Sequence, residues 1–249
     1  MSGELRVIPV AGLPEFSAQM SVGAEIGARA ELLEGDVLVV SQKIVSKAEG
    51  RIRKLSSAIP GGEARRLAAV LGKEPALVEL ILAESREVLR AERGVLIVET
   101  HHGFVCANAG IDTSNLPEPD TVALLPEDPD ASARRIRTEI QATSGAAPGV
   151  IVSDSFGRAW RLGQAEVAIG CAGIAPLDDW RGRTDTSGRE LEATLIAIAD
   201  EAAAAADLVR DKTSRVPAAI VRGLERYVSA EDGPGAAAMR RPHDEDLFR

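Results

Sequence analysis

Two aspartates follow apolar, strand-like stretches of the sequence, and each stands beside a hydroxyl residue. Asp112 lies in CANAGIDTSN and Asp154 in VSDSFGR. Carboxylates from two such positions can share a hard divalent cation, since Mg²⁺ and Mn²⁺ take oxygen ligands, including one or two carboxylates together with phosphate oxygens. The alternative is that each aspartate, like the nearby Asn115, only closes a turn by bonding its own backbone. Spacing alone leaves both interpretations open.

Cationic side chains stand in two other segments. SQKIVSKAEGR supplies Lys43 and Lys47; if it is helical, their ammonium groups lie on one face and suit a triphosphate, and the alternative is a solvated surface. DSFGRAWRLGQ, expected to be a loop, adds Arg158 and Arg161 as phosphate donors. Trp160 either offers a flat face to a ring system or packs in the core. Carboxylates and cations together indicate metal-assisted phosphoryl transfer.

Several common site motifs are absent from the sequence. It contains neither G-x-x-x-x-G-K-[ST] nor G-x-G-x-x-G after a strand, no Cys/His cluster with zinc spacing and no G-x-S-x-G. The net charge of −9 opposes a general attraction to nucleic acid or to an anionic membrane surface. Any anion must therefore be bound locally.

The two cysteines, Cys106 and Cys171, are too few for a disulfide framework and stand in apolar surroundings. We expect them to be reduced and buried, in a protein of the cytoplasm. The N-terminal stretch lacks a signal-peptide pattern, and no apolar run approaches the roughly 20 residues that span a bilayer. Export and membrane insertion are not expected.

The pattern of apolar residues predicts strands interspersed with helices. Strands are predicted in LRVIPV, DVLVVSQ, DTVALL, PGVIVSDS, EVAIGCAGI and VPAAIVRG, with two more around a turn at His102-Gly103. Helices are predicted in GEARRLAAVLG, PALVELILAESREV and DASARRIRTEIQATSG, and the longest in RELEATLIAIADEAAAAADLVRDK. The mixture predicts an α+β (mixed α/β) fold rather than a simple doubly wound sheet.

Several long strings, in order along nearly the whole chain, resemble the coenzyme F420-0:L-glutamate ligase family. They are GLPEF, VVSQKIVSKAEGR, VCANAGIDTSN, VSDSFGRAWRLGQ, VAIG and VPAAIVRG. The resemblance implies a GTP-dependent ligase with mixed sheets and flanking helices that adds γ-linked glutamate to F420-0 and F420-1 through an acyl phosphate, giving GDP and phosphate. It also implies Mn²⁺ or Mg²⁺, with K⁺ as a further candidate, and a homodimer with sites near the subunit interface.

The resemblance also assigns roles to residues. It implies that Asp112, Asp154 and Lys47 are catalytic, and that Asp112, Asp154, Ser155 and Asp211 bind metal. Asp211 stands in VRDKTSRVP, where some members have a glutamine that binds metal. The residues that the resemblance places against the nucleotide or substrate are Leu13, Pro14, Glu15, Phe16, Ser41, Lys43, Lys47, Asn115, Arg158, Val209, Arg210, Asp211 and Lys212.

Residues 1–228 are expected to form the ligase domain. Residues 229–249 are expected to be a flexible tail or a junction to a second domain, because GPGAAAMRRPHDEDLFR resembles the junction to a nitroreductase-like domain in two-domain actinobacterial members. Two other functions remain open on the residues alone. One is a metal-dependent phosphohydrolase acting on a nucleotide or phosphodiester, and the other is a non-catalytic binding module for a nucleotide or coenzyme.

Overall fold

The computed structural model describes residues 3–114, 116, 118–210 and 214–247, and within them it has a mixed α+β fold. The strands are β1 (Arg6–Pro9), β2 (Val37–Ser41), β3 (Ile52–Lys54), β4 (Ser85–Glu92), β5 (Val95–Thr100), β6 (Val105–Ala107), β7 (Thr121–Ala123), β8 (Gly149–Arg158), β9 (Arg161–Ala172), β10 (Asp178–Asp179), β11 (Leu195–Ile196) and β12 (Ala218–Arg222). The helices are α1 (Val22–Gly27), α2 (Gln42–Ala48), α3 (Gly62–Leu71), α4 (Pro75–Ala83), α5 (Pro129–Ser144) and α6 (Ile198–Asp207).

A five-stranded sheet in the order β1-β12-β2-β8-β9 forms the centre of the structure. The pair β2–β8 is parallel, and the other three neighbouring pairs are antiparallel. VLVV in β2 and GVIV at the start of β8 are continuous apolar runs because these strands are buried on both faces. Beyond Ser153 the β8–β9 pair continues as a hairpin past the end of β2.

The two faces of this sheet bury alternate residues of the same strands. Val40 and Val152 pack on one face with residues of α1, α2 and α5. Val39 and Ile151 pack on the other face with the alanines of α6. The run Ala202–Ala206 favours helix and lets α6 approach the sheet closely, since alanine has a small side chain.

A smaller sheet in the order β4-β5-β6 packs against α3 and α4 around a third apolar cluster. Its strand β6 contacts β8 of the large sheet. Two further pairs, β3–β7 and β10–β11, complete the sheets of the described residues. The β6–β8 contact brings the VCANAGIDTSN segment next to the β8–β9 hairpin.

The structure confirms the fold class and most predicted elements, and corrects three. The predicted helix in PALVELILAESREV ends at Ala83, because Ser85 onward pairs with β5 instead. The longest helix is α5, and RELEATL does not continue α6 because Leu195 and Ile196 pair with β10. The DSFGRAWRLGQ stretch is part of a hairpin rather than a loop. In each case pairing with another strand decided the local structure.

The segment after residue 228 bonds the backbone of Gly173 and two side chains of α5. The buried guanidinium of Arg137 donates hydrogen bonds to the carbonyl oxygens of Ser229 and Ala230. The carboxylate of Asp130 accepts from the backbone amide of Ala236, which is itself buried. The division of the chain into a ligase domain and a tail at residue 228 stays a prediction. Among the described residues, no helix is long and apolar enough to cross a membrane.

Candidate active site

The two lysines of α2 lie on the side of the helix that approaches two acidic residues. α2 begins directly after Ser41, whose side chain makes no capping hydrogen bond. The ammonium group of Lys43 lies 2.7 Å from Oδ2 of Asp112. Lys47 is buried and forms an ion pair with Glu15. The predicted helix is confirmed, and the alternative of a solvated lysine surface is wrong.

Asp112 closes a turn and also forms an ion pair with Lys43 of α2. Oδ1 accepts a hydrogen bond from the backbone amide of Ser114 at 2.7 Å, as an aspartate that closes a turn does. Oδ2 pairs with Lys43. Burial alone would raise the pKa of Asp112, but the hydrogen bonds from Lys43 and Ser114 outweigh it and lower the pKa. The carboxylate is therefore ionised and held in one orientation.

Asp154 lies within β8, opposite Val167 of β9, and not in a loop. Burial, and then the negative charge of Glu166, raise its pKa to about 7; Asp112 also raises the pKa, and the backbone hydrogen bond from Ser155 and the charge of Lys43 lower it. Asp154 and Asp112 are thus close enough for their charges to interact, as the sequence prediction of a shared cation required. Burial and the charge of Asp154 also raise the pKa of the Cys106 thiol to about 12. This thiol is buried and free, as predicted.

The neighbouring residues Asp154 and Ser155 point to opposite faces of β8, since side chains alternate along a strand. Val152 and Phe156 pack with the cluster beside α2 and α5, so Asp154 faces α2. Ile151 packs with the cluster beside α6, so Ser155 faces the α6 side. The two predicted metal ligands therefore serve two different sides of one strand.

On the α6 side, four polar side chains form a buried network around Glu166. Glu166 Oε2 accepts a hydrogen bond from Ser153 Oγ at 2.5 Å, and Oε1 accepts one from Ser155 Oγ at 2.6 Å. Arg210 Nη2 donates to Glu166 Oε2 at 3.0 Å. Sequence reasoning missed Glu166. The available signal was a charged residue two positions before Ala168, on the inward-facing series of an apolar strand.

Arg210 is buried at 8% exposure, and two of its guanidinium nitrogens face no partner. Within the described part of the chain, Nε and Nη1 are buried without a hydrogen bond. A buried donor without an acceptor is costly, so these two nitrogens are suited to donate hydrogen bonds to an oxygen of an anion. Val209 packs beside it against the α6-side cluster.

The remaining predicted residues are distributed as follows. Phe16 is in the core at 3% exposure, so its side chain does not offer a free surface, whereas Glu15 is largely exposed. Leu13 packs partly on the same core.

Arg158 donates to the carbonyl oxygens of the hairpin turn, and Trp160 is 79% exposed, so its predicted core alternative is wrong. Pro14 is half-buried. Three predicted positions lie outside the described residues, namely Asn115, Asp211 and Lys212.

The described residues offer carboxylate and hydroxyl oxygens for a metal, but no complete cage of protein ligands. Across residues 3–114, 116, 118–210 and 214–247, no group of three or more His, Cys, Asp or Glu side chains is arranged to hold a metal ion. Asp112 and Asp154 offer two hard carboxylate oxygen donors, and the charges of Asp112 and Glu166 add to burial in raising the pKa of Asp154. Such a pair fits Mg²⁺ or Mn²⁺, which takes one or two carboxylates and completes its coordination with substrate phosphates and water.

The fold and site define an α+β protein that assembles carboxylates, lysines and a buried arginine without a P-loop. The family model for F420-0:gamma-glutamyl ligase matches residues 15–223. A coenzyme F420:L-glutamate ligase from Methanothermobacter thermautotrophicus is 43% identical over 97% of this chain and 96% of its own length. The enzyme of that name from Methanocaldococcus jannaschii is 40% identical over the full length of both chains. The chain belongs to the F420-0:gamma-glutamyl ligase family, which is a family of enzymes.

Proposed function

We propose that this protein is a GTP-dependent ligase that adds γ-linked L-glutamate to coenzyme F420-0 and F420-1. Family membership and the names of the relatives support the glutamate ligation. The observation that carries the site assignment is the meeting of Asp112, Asp154 and Lys43 beside the N-terminal end of α2. Two carboxylates for a cation and a lysine for a phosphate are what transfer from a nucleoside triphosphate needs.

Asp112 and Asp154 would hold Mn²⁺ or Mg²⁺, and Ser155 on the other face, with Asp211, would take part in a second site. The bound ion would offset the charge of the phosphate oxygens during transfer. K⁺ is a further candidate cofactor. The carboxylate and hydroxyl oxygens of the described residues suit Mg²⁺ and Mn²⁺.

The lysines and Arg210 would bind the nucleotide and orient it. Lys43 and Lys47 both have carboxylate partners in this structure, and a triphosphate would compete for the same ammonium groups. The free Nε and Nη1 of Arg210 are suited to phosphate oxygens. Ser41, with no capping bond to occupy its hydroxyl, and the residues Leu13–Phe16 would lie along the nucleotide. Arg158 is a weaker candidate for a nucleotide contact, because its N–H groups already donate to carbonyl oxygens of the hairpin.

The proposed reaction has two steps. The terminal carboxylate of F420-0 attacks the γ-phosphorus of GTP, GDP leaves, and an acyl phosphate forms. The amine of L-glutamate then attacks the acyl carbon, phosphate leaves and the amine gives up a proton, which forms the amide. Activation is needed because a carboxylate is a poor electrophile.

The arrangement that we expect in solution is a homodimer, which light scattering on the purified protein would test.

Mass spectrometry of F420-0 incubated with the protein, GTP, Mn²⁺ and L-glutamate tests the function directly. The expected product series is spaced by one glutamyl residue and disappears when GTP, metal or glutamate is omitted. Asp112→Ala and Asp154→Ala should abolish it. Asp179→Ala is the matched control, because this aspartate is exposed on β10 and pairs with Arg181. An active Asp112→Ala or Asp154→Ala variant would contradict the site assignment.

The competing functions give different results in the same experiment. Release of phosphate from GTP with unchanged coenzyme mass would favour the phosphohydrolase. Nucleotide binding without any turnover would favour a binding module. The structure offers no observation that favours either of them over the ligase.

A further inference from the structure

The segment Ser229–Arg240, which we call the C-terminal strap, crosses the edge of the large sheet at β9. Two backbone hydrogen bonds, of 2.8 and 2.9 Å, join it to Gly173, directly after this strand. Further along, Ala236 is 2% exposed and packs with the α6-side cluster. Its backbone amide donates to Asp130 of α5 at 2.7 Å. The strap is therefore anchored to both faces of the sheet as far as Ala236.

Arg240, at the end of the strap, lies against the turn between β5 and β6. The central carbon of its guanidinium group lies 5.9 Å from the centroid of the Phe104 ring. A Cβ atom at Gly103 would lie 3.5 Å from Nη1 of Arg240, so the arginine side chain also passes close to the backbone of this turn. A guanidinium group over an aromatic face at this distance is attracted to it. The strap thus joins the edge of the large sheet to the small sheet.

Two side chains of the β6 segment face two side chains of β8. The rings of Phe104 and Phe156 meet edge to face, with their centroids 6.1 Å apart. Cys106, two residues after Phe104, lies near Asp154, two residues before Phe156, because the charge of Asp154 helps to raise the pKa of the Cys106 thiol. Side chains two residues apart lie on one face of a strand. Strand β6 is therefore part of the wall that covers Asp154.

The ring of Phe104 connects this wall to the strap. It stacks on His102, with the ring centroids 5.5 Å apart, and it contacts Phe156 and Arg240 in addition. Loss of Arg240 would remove the one of these three contacts that comes from the strap. The β6 segment would then be held against β8 less firmly.

We propose that Arg240 is a positioning residue that holds β6 against β8 over Asp154, so that the C-terminal strap is part of the ligase unit. Arg240 acts through Phe104 and Phe156. Its effect on catalysis rests on the proposed function, which places a cation at Asp154, whereas its effect on β6 does not. A catalytic group needs neighbours that are fixed by packing, to within about 0.5 Å. The ligase domain would then extend beyond the predicted boundary at residue 228.

The accessibility of Cys106 tests the structural part of the inference. Cys106 and Cys171 are the only cysteines of the chain, and mass spectrometry after treatment with a thiol reagent measures the labelling rate of each in the whole, ligand-free protein. Arg240→Ala should speed labelling of Cys106 by about two- to fivefold, the factor that corresponds to one exposed cation–aromatic contact. Cys171 should keep its wild-type rate, because Asp130 still anchors the strap at Ala236.

Three further variants make this test specific. Arg241→Ala is the matched control, because it removes the same charge from the neighbouring exposed residue, and it should label as wild type does. Arg240→Lys keeps a cation over the ring and should restore slow labelling of Cys106. Phe104→Leu removes the ring itself, so adding Arg240→Ala to it should have little further effect on the rate.

Ligation kinetics test the functional part. Arg240→Ala should lower kcat roughly threefold, because the wall beside Asp154 is less well positioned. The KM for GTP should stay unchanged, because the lysines proposed to bind the nucleotide lie on α2 and not on β6. Arg240→Lys should recover the wild-type kcat, and Arg241→Ala should not lower it.

Each outcome decides one part of the inference. A wild-type labelling rate of Cys106 in Arg240→Ala overturns it, and so does equal acceleration of Cys106 and Cys171, which would indicate a general loosening of the fold. Faster labelling of Cys106 with an unchanged kcat would overturn the positioning role in catalysis. If wild type formed no ligation product, the proposed function would fall, and the labelling rates would still decide whether Arg240 holds β6.

Discussion

Replacing Asp154 by asparagine should stabilise the metal-free protein at neutral and alkaline pH. Burial and the neighbouring carboxylates raise the pKa of Asp154 from 3.8 to about 7. A carboxyl group whose pKa is raised on folding favours the folded state most at pH values below its pKa in the unfolded protein. This contribution to stability is lost as the pH rises through its pKa in the folded protein. The ionised group therefore destabilises the fold above pH 7, and its neutral amide does not.

The size of the expected stability gain follows from the pKa shift of Asp154. One pKa unit corresponds to about 1.4 kcal/mol, so a change from 3.8 to about 7 caps the penalty at about 4 kcal/mol. Asp154 keeps some exposed surface, and water screens part of the interaction. We expect Asp154→Asn to raise the free energy of unfolding by about 2 kcal/mol at pH 8 in chelator. The gain should shrink at pH 5 and vanish near pH 4.

Urea denaturation in chelator at these three pH values measures the effect. Asp112→Asn is the control of opposite sign, because the pKa of Asp112 is lowered and its ion pair with Lys43 stabilises the fold above the unfolded pKa. Asp112→Asn should therefore lose stability at pH 8. The reasoning is refuted if Asp154→Asn is less stable than wild type at pH 8 in chelator.

Adding Mn²⁺ should reverse the order of wild type and Asp154→Asn. A cation that binds only the folded state stabilises it by about 2.7 kcal/mol at a free concentration of 100 Kd. Wild type should gain this stabilisation from bound Mn²⁺, and Asp154→Asn should gain little. If the variant remained the more stable protein in saturating Mn²⁺, Asp154 would not be a metal ligand.

Three further predictions concern residues other than the site carboxylates. Trp160→Ala should change the free energy of unfolding by less than about 0.5 kcal/mol in urea denaturation, because the ring is 79% exposed. Arg137→Met should lose about 3 kcal/mol in the same assay and speed proteolysis after residue 228, because the buried carbonyl of Pro148, the carbonyls of Ser229 and Ala230, and Asp232 lose their donor; unchanged proteolysis would contradict this. Cys106 and Cys171, with pKa values of about 12, should not react with a disulfide reagent at pH 8 until the protein is denatured, and rapid labelling of the native protein would show otherwise.

The sequence predicts the buried strands and most helices because their patterns are local. VLVV in β2 and GVIV in β8 are apolar at every position, which is typical of strands covered on both faces. The end of α4 could not be predicted, because SREV continues a helical pattern and only its pairing with β5 makes it a strand. The same holds for Leu195 and Ile196, whose partners are Asp179 and Asp178 of β10.

The site was predictable to the extent that its residues stand at strand ends or on one helix. Asp112, Asp154 and the two lysines could be identified from their residue types alone, as possible metal and phosphate ligands. The spacing of the lysines predicts that they share a helix face. Their partners were not predictable, since the pairing of Lys43 with Asp112 joins residues from separate elements. Glu166 was missed because its significance comes from the β8–β9 register, which no local pattern encodes.

The alternation of Asp154 and Ser155 across β8 restricts where this hairpin can change length. One extra residue of β9, Ile169, lies between the partners of Val152 and Ser153, and this odd count brings Glu166 opposite Ser155. A one-residue insertion or deletion in β8 ahead of Asp154 would exchange the faces, turning the carboxylate toward α6 and the hydroxyl toward α2. Length variation among relatives should therefore fall at the tip of the hairpin, where it alters neither side.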